Sequence, residues 1–107
     1  MPASFTNLDL VVLQLSHNQL NNNDFKLICN LENLMRLDLL YNQITEVPEE
    51  IGKLKQLMHL YLRGNHITEF PDSFYKMKHI NCVDWKYTDL TMNTFHRLER
   101  KMPQLWK

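Results

Sequence analysis

Eleven residues from Leu34 to Ile44, LMRLDLLYNQI, decide the fold of this chain, because similar stretches occur three more times. The copies are LVVLQLSHNQL at 10–20, LMHLYLRGNHI at 57–67 and the weaker INCVDWKYTDL at 80–90. All follow the pattern L-x-x-L-x-L-x-x-N-x-L. The position of its asparagine recurs at spacings of 24, 23 and 23 residues, at Asn18, Asn42, Asn65 and Thr88. A fixed period of this length indicates a repeat architecture.

Within each copy the apolar residues alternate, which is the period of a β-strand. Pairs such as Leu37 and Leu39, or Leu60 and Leu62, therefore point to the same side. One such strand cannot bury its apolar side, but copies stacked about 4.8 Å apart form a parallel sheet over a continuous core. The segments between strands close this core with Ile28, Leu31, Ile51, Leu54, Phe74 and Met77. Each buried residue of this kind contributes roughly 1.5–3 kcal/mol.

The pattern resembles the leucine-rich repeat family over nearly the whole chain. The halves that follow the second and third strands, ITEVPEEIGKL at 44–54 and ITEFPDSFYKM at 67–77, are similar to the 23-residue intracellular class of Ras-suppressor-like and scribble-like proteins. The resemblance implies an α/β fold, a right-handed solenoid with a short parallel sheet on its concave face. In the first repeat, Asn21 to Asp24 carries an extra residue and no proline, so we expect an irregular convex loop there.

The length of 107 residues fits a single domain. We predict coils over about 10–33, 34–56, 57–79 and 80–91, followed by an amphipathic helix over about 92–102 that covers the last coil. Residues 1–9 read as the remnant of a preceding repeat without its strand. We therefore hypothesise that the chain is a shortened isoform, a fragment, or a subunit whose first edge docks on another protein.

The repeated asparagine has a structural reason. After each strand the chain turns inward and leaves backbone N–H and C=O groups facing the core, and an amide side chain can both donate to and accept from them. An unpaired buried group of this kind costs about 1–3 kcal/mol. We predict a stacked ladder formed by Asn18, Asn42, Asn65 and Thr88, with the shorter Thr88 suited to a terminal coil.

The outward positions of the strands form the candidate binding surface. Tyrosine and arginine are enriched at binding hot spots, and concave surfaces are what solenoids use for binding. Cross-strand pairing between charges explains only part of this set. We predict a partner-binding concave face formed by Arg36, Asp38, Leu40, Tyr41, His59, Tyr61, Arg63, Asp84, Lys86 and Tyr87. The family resemblance implies a protein partner, such as a small GTPase, a phosphatase, or a cytoskeletal or axonemal assembly.

Composition argues against several other classes. Twelve Lys and Arg balance twelve Asp and Glu, so nucleic-acid binding and attraction to membrane surfaces are not expected. No apolar run is long enough to cross a bilayer, and the N-terminus does not read as a secretory signal. Cys29 and Cys82 are too few and too far apart for a disulfide framework or a zinc site. We expect a cytoplasmic protein without metal or cofactor.

We predict a non-catalytic interaction or scaffold module. One alternative is a structural subunit of a large assembly, for example a cytoskeletal or axonemal one, docked through its N-terminal edge. Another is an enzyme that uses Cys82 and His59 with Asp84 nearby. The sequence offers this constellation neither a pocket nor an oxyanion donor, so a non-catalytic protein is the stronger interpretation.

Overall fold

A single parallel sheet runs through the repeats. The computed structural model describes residues 11–106, and its sheet has the order β1-β2-β3-β4. The strands are β1 (Val12–Gln14), β2 (Arg36–Asp38), β3 (His59–Tyr61) and β4 (Cys82–Asp84). The register is the one that the repeat alignment predicts: Leu13, Leu37, Leu60 and Val83 are successive partners. The predicted repeat remnant at 1–9 lies outside the described residues.

Short helices connect the strands on the convex side. They are α1 (Asn22–Ile28), a 3₁₀ helix at Glu49–Lys53 and another at Asp72–Lys76. After β4 follow α2 (Met92–Lys101) and a last 3₁₀ helix at Pro103–Trp106. Parallel strands need such crossovers because each connection must return the chain to the same end of the sheet. The α/β leucine-rich-repeat architecture predicted from the repeat is thereby confirmed.

The core lies between the sheet and these helices. Inward strand residues such as Leu37 and Leu60 are fully buried. The six convex residues predicted to close the core are all buried, with Ile51 and Phe74 at 0% exposure. The core is therefore a continuous stack of equivalent side chains from adjacent coils, in which each coil supports only its neighbours.

The convex segment of the first repeat is not the irregular loop that we expected. It forms α1, whose first turn is closed by a capping box. The Asn21 side chain accepts a hydrogen bond from the backbone N–H of Asp24, and the Asp24 carboxylate accepts one from the backbone N–H of Asn21. The prediction was wrong because it compared this segment with the later repeats and overlooked the capping signal in its own sequence.

Asn42 and Asn65 form the core of the predicted ladder. The Asn65 side chain is fully buried; its amide nitrogen donates to Leu39 O and Leu62 O, and its oxygen accepts from Ile44 N. Asn42 likewise accepts from the backbone of residues 18 and 20 in the preceding coil. Each of these asparagines thus joins its own coil to the one before it, so the ladder holds adjacent coils together.

The two ends of the ladder differ from its middle. Asn18 is exposed, and its amide donates to Ser16 O within its own coil. The side chains of Asn42 and Asn65 bond to the coil that precedes their own. The corresponding position for Asn18 lies before residue 11, outside the described residues. The Thr88 hydroxyl donates to Trp85 O, also within its own coil. Thr88 therefore does not make the link between coils that the ladder prediction assigned to it, and the link predicted for Asn18 lies outside the described residues.

The C-terminal helix covers the last coils as a cap. Leu98 and Met102 are buried, and the Thr94 hydroxyl donates to Thr68 O of the third coil. The Trp106 ring lies 5.6 Å from the ring of Trp85 and is about half exposed. Trp106 therefore packs against the last coil and still presents part of its ring to solvent.

The cap is also joined to the third coil by an ion pair that we expect to be sensitive to acid. Arg97 Nη2 lies 2.8 Å from Asp72 Oδ1, and this hydrogen bond and the guanidinium charge lower the pKa of Asp72 below its usual 3.8. Because the pKa is lower in the folded chain, the stabilisation is complete above about pH 4 and is lost as the pH falls through the folded pKa. Asp72→Asn should lower the thermal midpoint slightly near neutral pH and leave it unchanged in strong acid.

The matched control for this prediction is Glu99→Gln. It removes a carboxylate from α2 that forms no ion pair within residues 11–106. Thermal unfolding followed by circular dichroism across the acid range compares the two variants. A loss in Asp72→Asn that persists unchanged at the lowest pH would contradict the assignment to this ion pair.

Candidate functional site

One residue after each strand has a left-handed backbone conformation, and these residues form the outer row of the concave face. Four equivalent residues have positive φ angles between 54° and 79°: His17, Tyr41, Gly64 and Tyr87. The rings of His17 and Tyr41 are stacked at 5.0 Å. The Tyr41 ring then extends over Gly64, because a Cβ atom added to Gly64 would lie 2.2 Å from Tyr41 Cδ1. Gly64 therefore makes room for the tyrosine of the preceding coil.

This contact predicts the effect of Gly64→Ala. The other residues of the row carry side chains at similar φ angles, so the collision with the Tyr41 ring adds to the usual cost of about 1–2 kcal/mol for a left-handed residue. We expect a loss of about 2 kcal/mol or more in urea unfolding. The double variant Tyr41→Ala/Gly64→Ala should recover part of this loss, since the ring is gone. Strictly additive effects of the two substitutions would contradict the contact.

Arginines lie over two of the predicted tyrosines. The Arg36 guanidinium carbon lies 4.9 Å from the centre of the Tyr61 ring, and that of Arg63 lies 6.0 Å from the centre of the Tyr87 ring. Both distances fit cation–π contacts. Burial, followed by the neighbouring Cys82 thiol, raises the pKa of Tyr61, so its hydroxyl remains protonated and able to donate at neutral pH.

The two arginines differ in their charge partners. Arg63 Nη2 lies 2.9 Å from Asp84 Oδ2, and this hydrogen bond raises the pKa of Arg63 further. Arg36 forms no ion pair with any carboxylate between residues 11 and 106. Its Nε, together with His59 Nδ1 and Arg63 Nε, is buried without a hydrogen-bond partner. Arg36 is consequently a cation of this face without a carboxylate partner among the described residues.

The residues predicted to form the concave face do lie on one surface, but their side chains differ in solvent exposure. Tyr87 is 74% exposed and Tyr41 42%, and Lys86 is also exposed. The half-buried members are Arg36, Leu40, His59, Tyr61, Arg63 and Asp84. These residues come from all three of the strands β2 to β4, so a partner on this face would meet several coils at once.

Asp38 was predicted to contact a partner on the concave face, and the structure contradicts this prediction. It is only 9% exposed, and its Oδ1 accepts a hydrogen bond from Leu40 N. Asp84, at the equivalent position of β4, accepts from Lys86 N in the same way. The Asp38 side chain therefore stabilises the turn after β2, and it is too deeply buried to contact a partner. Sequence analysis also left out His17, whose stacking on Tyr41 depends on rotamers that the repeat pattern does not encode.

The constellation of Cys82, His59 and Asp84 lies on this same open sheet. His59 and Cys82 are register partners on neighbouring strands. The aromatic neighbour of His59 is Tyr61, stacked at 6.4 Å, and Asp84 is engaged by Arg63. The carboxylate is therefore occupied by another residue and does not orient the imidazole, as an orienting group in a catalytic triad would.

The two cysteines are expected to react very differently. Cys29 is fully buried in the core, and burial raises the pKa of its thiol to about 12, whereas Cys82 is half-buried on β4. Since the thiolate is the reactive form, Cys29 should resist thiol reagents in the native chain. Titration with Ellman's reagent should detect one thiol in the native state and two in urea. Native Cys82→Ser should then release almost no colour, and equal rates for both thiols would contradict the prediction.

Between residues 11 and 106, no group of three or more His, Cys, Asp or Glu side chains is arranged to hold a metal ion. No helix in the same range combines the length and apolar character needed to cross a membrane.

Together these features define a repeat protein with an open, aromatic and arginine-bearing sheet. The family model of the leucine-rich repeat region matches residues 2–104, and the chain therefore belongs to the leucine-rich repeat family. Members of this family are typically non-catalytic interaction modules.

A solved leucine-rich repeat protein of Leptospira interrogans has a similar structure, with a TM-score of 0.88 and 30% sequence identity. The match covers 97% of this chain and 26% of that protein, so this chain spans about a quarter of its length. No curated protein matches this chain.

Proposed function

We propose that this chain is a non-catalytic, cytoplasmic protein-interaction module that binds a protein partner on its concave face. The observation that carries the proposal is the convergence of Tyr41, Tyr61 and Tyr87 with Arg36 and Arg63 on one short sheet. Such residues are the ones that most often dominate binding energy, and the stacked coils hold them without a mobile loop. Binding would therefore order little of this surface, which lowers its entropic cost.

Two members of the face, Tyr87 and Arg36, are the main sources of affinity in this proposal. Tyr87 offers a ring that is 74% exposed, and Arg36 offers a guanidinium without a carboxylate partner among the described residues. A partner with an apolar side chain and a carboxylate would satisfy both. Arg63 is already paired with Asp84, so its main contribution is to hold the Tyr87 ring from beneath.

The alternative is a structural subunit docked through β1 at the edge of the sheet. It is supported by Val11 and Val12, which are 47% and 51% exposed on or beside this edge strand. An edge strand offers backbone groups for pairing with a second chain. The two functions place the partner on different surfaces, so a single mapping experiment separates them.

Photo-crosslinking in the cell that expresses the chain provides this map. Benzoyl-phenylalanine is placed at position 87, at position 11, or at the exposed convex position 69, and the cross-linked proteins are identified by mass spectrometry. The proposal expects one protein captured specifically through position 87. Capture concentrated at position 11 would support the structural subunit, and capture at position 69 alone would overturn the assigned face.

Binding of the captured partner to purified variants completes the test. Tyr87→Ala and Arg36→Ala should each weaken binding by about tenfold or more, as expected for hot-spot residues. Gln43→Ala, at an exposed position after the second strand, is the matched control and should bind normally. Equal affinities for all three variants would refute the proposal.

A further inference from the structure

A second candidate binding surface is formed by lysines that lie close together, although the net charge of the whole chain is zero. Lys53 and Lys76 are the last residues of the two convex 3₁₀ helices and occupy equivalent positions in the repeat. Lys55, Lys78 and Lys101 form a second row at intervals of 23 residues; the first two lie beyond these helices and the third lies in α2. Two successive coils and the C-terminal cap thus each carry lysines, and the neutral total of the chain conceals a basic edge.

These lysines are not used in ion pairs. The salt bridges between described residues involve Lys26, Arg63, His66 and Arg97. Lys55, Lys76, Lys78 and Lys101 are all exposed and form none with a carboxylate from residues 11–106. Asp72 interacts with the charges of Lys76 and Lys101 without forming an ion pair with either lysine, so an anionic ligand would still find unpaired cations here.

A groove runs between these lysines. One cavity of about 330 Å³ is lined by Lys55, Lys76, Lys78 and His79 together with Ser73. A second cavity, of about 430 Å³, shares Lys76 and Lys78 with the first and adds Lys101 and Gln104. The two cavities adjoin at Lys76, Met77 and Lys78, and we call this lysine-lined surface the basic groove. Neither lining contains a carboxylate.

Stabilisation of helix ends accounts for only part of this pattern. Lys53, Lys76 and Lys101 lie in last turns of helices, where a cation interacts favourably with the exposed carbonyl groups. Lys55, Lys78 and His79 lie beyond the helices that precede them. Helix stability does not require the cations Lys55 and Lys78, yet both of them line the basic groove together with the His79 side chain.

We propose that the basic groove binds an extended acidic segment of a protein, independently of the concave face. Successive coils lie about 4.8 Å apart at the sheet, and an extended chain advances 3.2–3.4 Å per residue. A segment of roughly four residues would therefore span the row from Lys55 to Lys101 and place carboxylates beside several lysines. The Ser73 hydroxyl and the Gln104 amide add polar groups along its path. A recessed groove suits a narrow peptide better than the broad plane of a membrane.

The probe for this proposal is fluorescein-labelled hexaglutamate, with hexaglutamine as the uncharged comparison. Fluorescence anisotropy at low salt should show binding of hexaglutamate and none of hexaglutamine. Lys78→Gln/Lys101→Gln should weaken binding about three- to tenfold. The matched control, Lys26→Gln/Arg100→Gln, removes the same charge from exposed positions outside the groove and should bind as the native chain does.

The results of this experiment distinguish specific binding in the basic groove from general attraction between charges. Equal weakening in both double variants would overturn the proposal, because it would show attraction to overall charge alone. Failure of hexaglutamate to bind, or tighter binding to phosphatidylserine vesicles or to a single-stranded oligonucleotide, would also overturn it. Tyr87→Ala should leave hexaglutamate binding unchanged, so a failure of the concave-face proposal and a failure of this one give different results.

Discussion

Asn65→Leu should lower the free energy of unfolding by about 3 kcal/mol, because it removes three hydrogen bonds from the centre of the fold. The Asn65 side chain is fully buried, accepts from Ile44 N and donates to Leu39 O and Leu62 O. Leucine has a similar size and fills the space, so the loss isolates the polar contribution. The Ile44 N–H would be left buried without this acceptor, which is the most costly part of the change.

Two matched variants sharpen this prediction. Asn18→Leu alters an exposed member of the same column whose side chain, among residues 11–106, bonds within its own coil, and it should cost less than about 1 kcal/mol. Asn65→Thr introduces the residue found in the last coil and should fall between the two. Urea unfolding followed by circular dichroism measures all three. Equal losses for Asn18→Leu and Asn65→Leu would refute the role assigned to the buried ladder.

Phe74→Ala is expected to cost about 3–5 kcal/mol, a large share of the stability of a small domain. The Phe74 side chain is completely buried. Its ring stacks on Phe70 at a centroid distance of 4.3 Å and meets the edge of Tyr75 at 5.8 Å. Truncation would leave a cavity between coils on the convex side, where the surrounding helices cannot collapse into it without moving the adjacent repeat.

The control for this variant is Phe95→Ala. Phe95 is half-buried and lies 5.9 Å from the Trp85 ring, so its truncation should cost roughly half as much. Circular dichroism reports on the whole chain, whereas tryptophan fluorescence reports on Trp85 and Trp106 at its C-terminal end. Since coils depend on their neighbours, Phe74→Ala should shift both signals. A loss no greater than that of Phe95→Ala would contradict the packing described here.

Several features could be predicted because they repeat. The inward leucines and the strand register follow from a period of two within each strand and of 23 residues between strands. The register partners Arg36, His59 and Cys82 were placed correctly for this reason. Helix α1 was missed because its cause, the capping box of Asn21 and Asp24, occurs only in the first repeat. The ladder was predicted correctly at Asn42 and Asn65, whose side chains bond to the coil before them.

The accessible part of the concave face required the structure. A repeat pattern assigns Asp38 and Tyr87 alike to outward positions, yet the first is almost buried and the second is 74% exposed. The difference comes from hydrogen bonds within the turn and from side chains of adjacent coils. Likewise, the contact of Tyr41 with Gly64 joins residues 23 positions apart through one particular rotamer. Sequence spacing brings such residues near each other without specifying how they touch.

The amino-acid sequence by itself determined the number of coils, their inward residues and the asparagines that join them. These depend on burial and on backbone hydrogen bonding, which impose the same demand in every repeat. Only the tertiary structure decided which outward residues remain accessible, which arginine lacks a carboxylate partner among residues 11–106, and which lysines line the two adjoining cavities. Those properties depend on the rotamers and neighbours of long polar side chains, and no periodic constraint selects them.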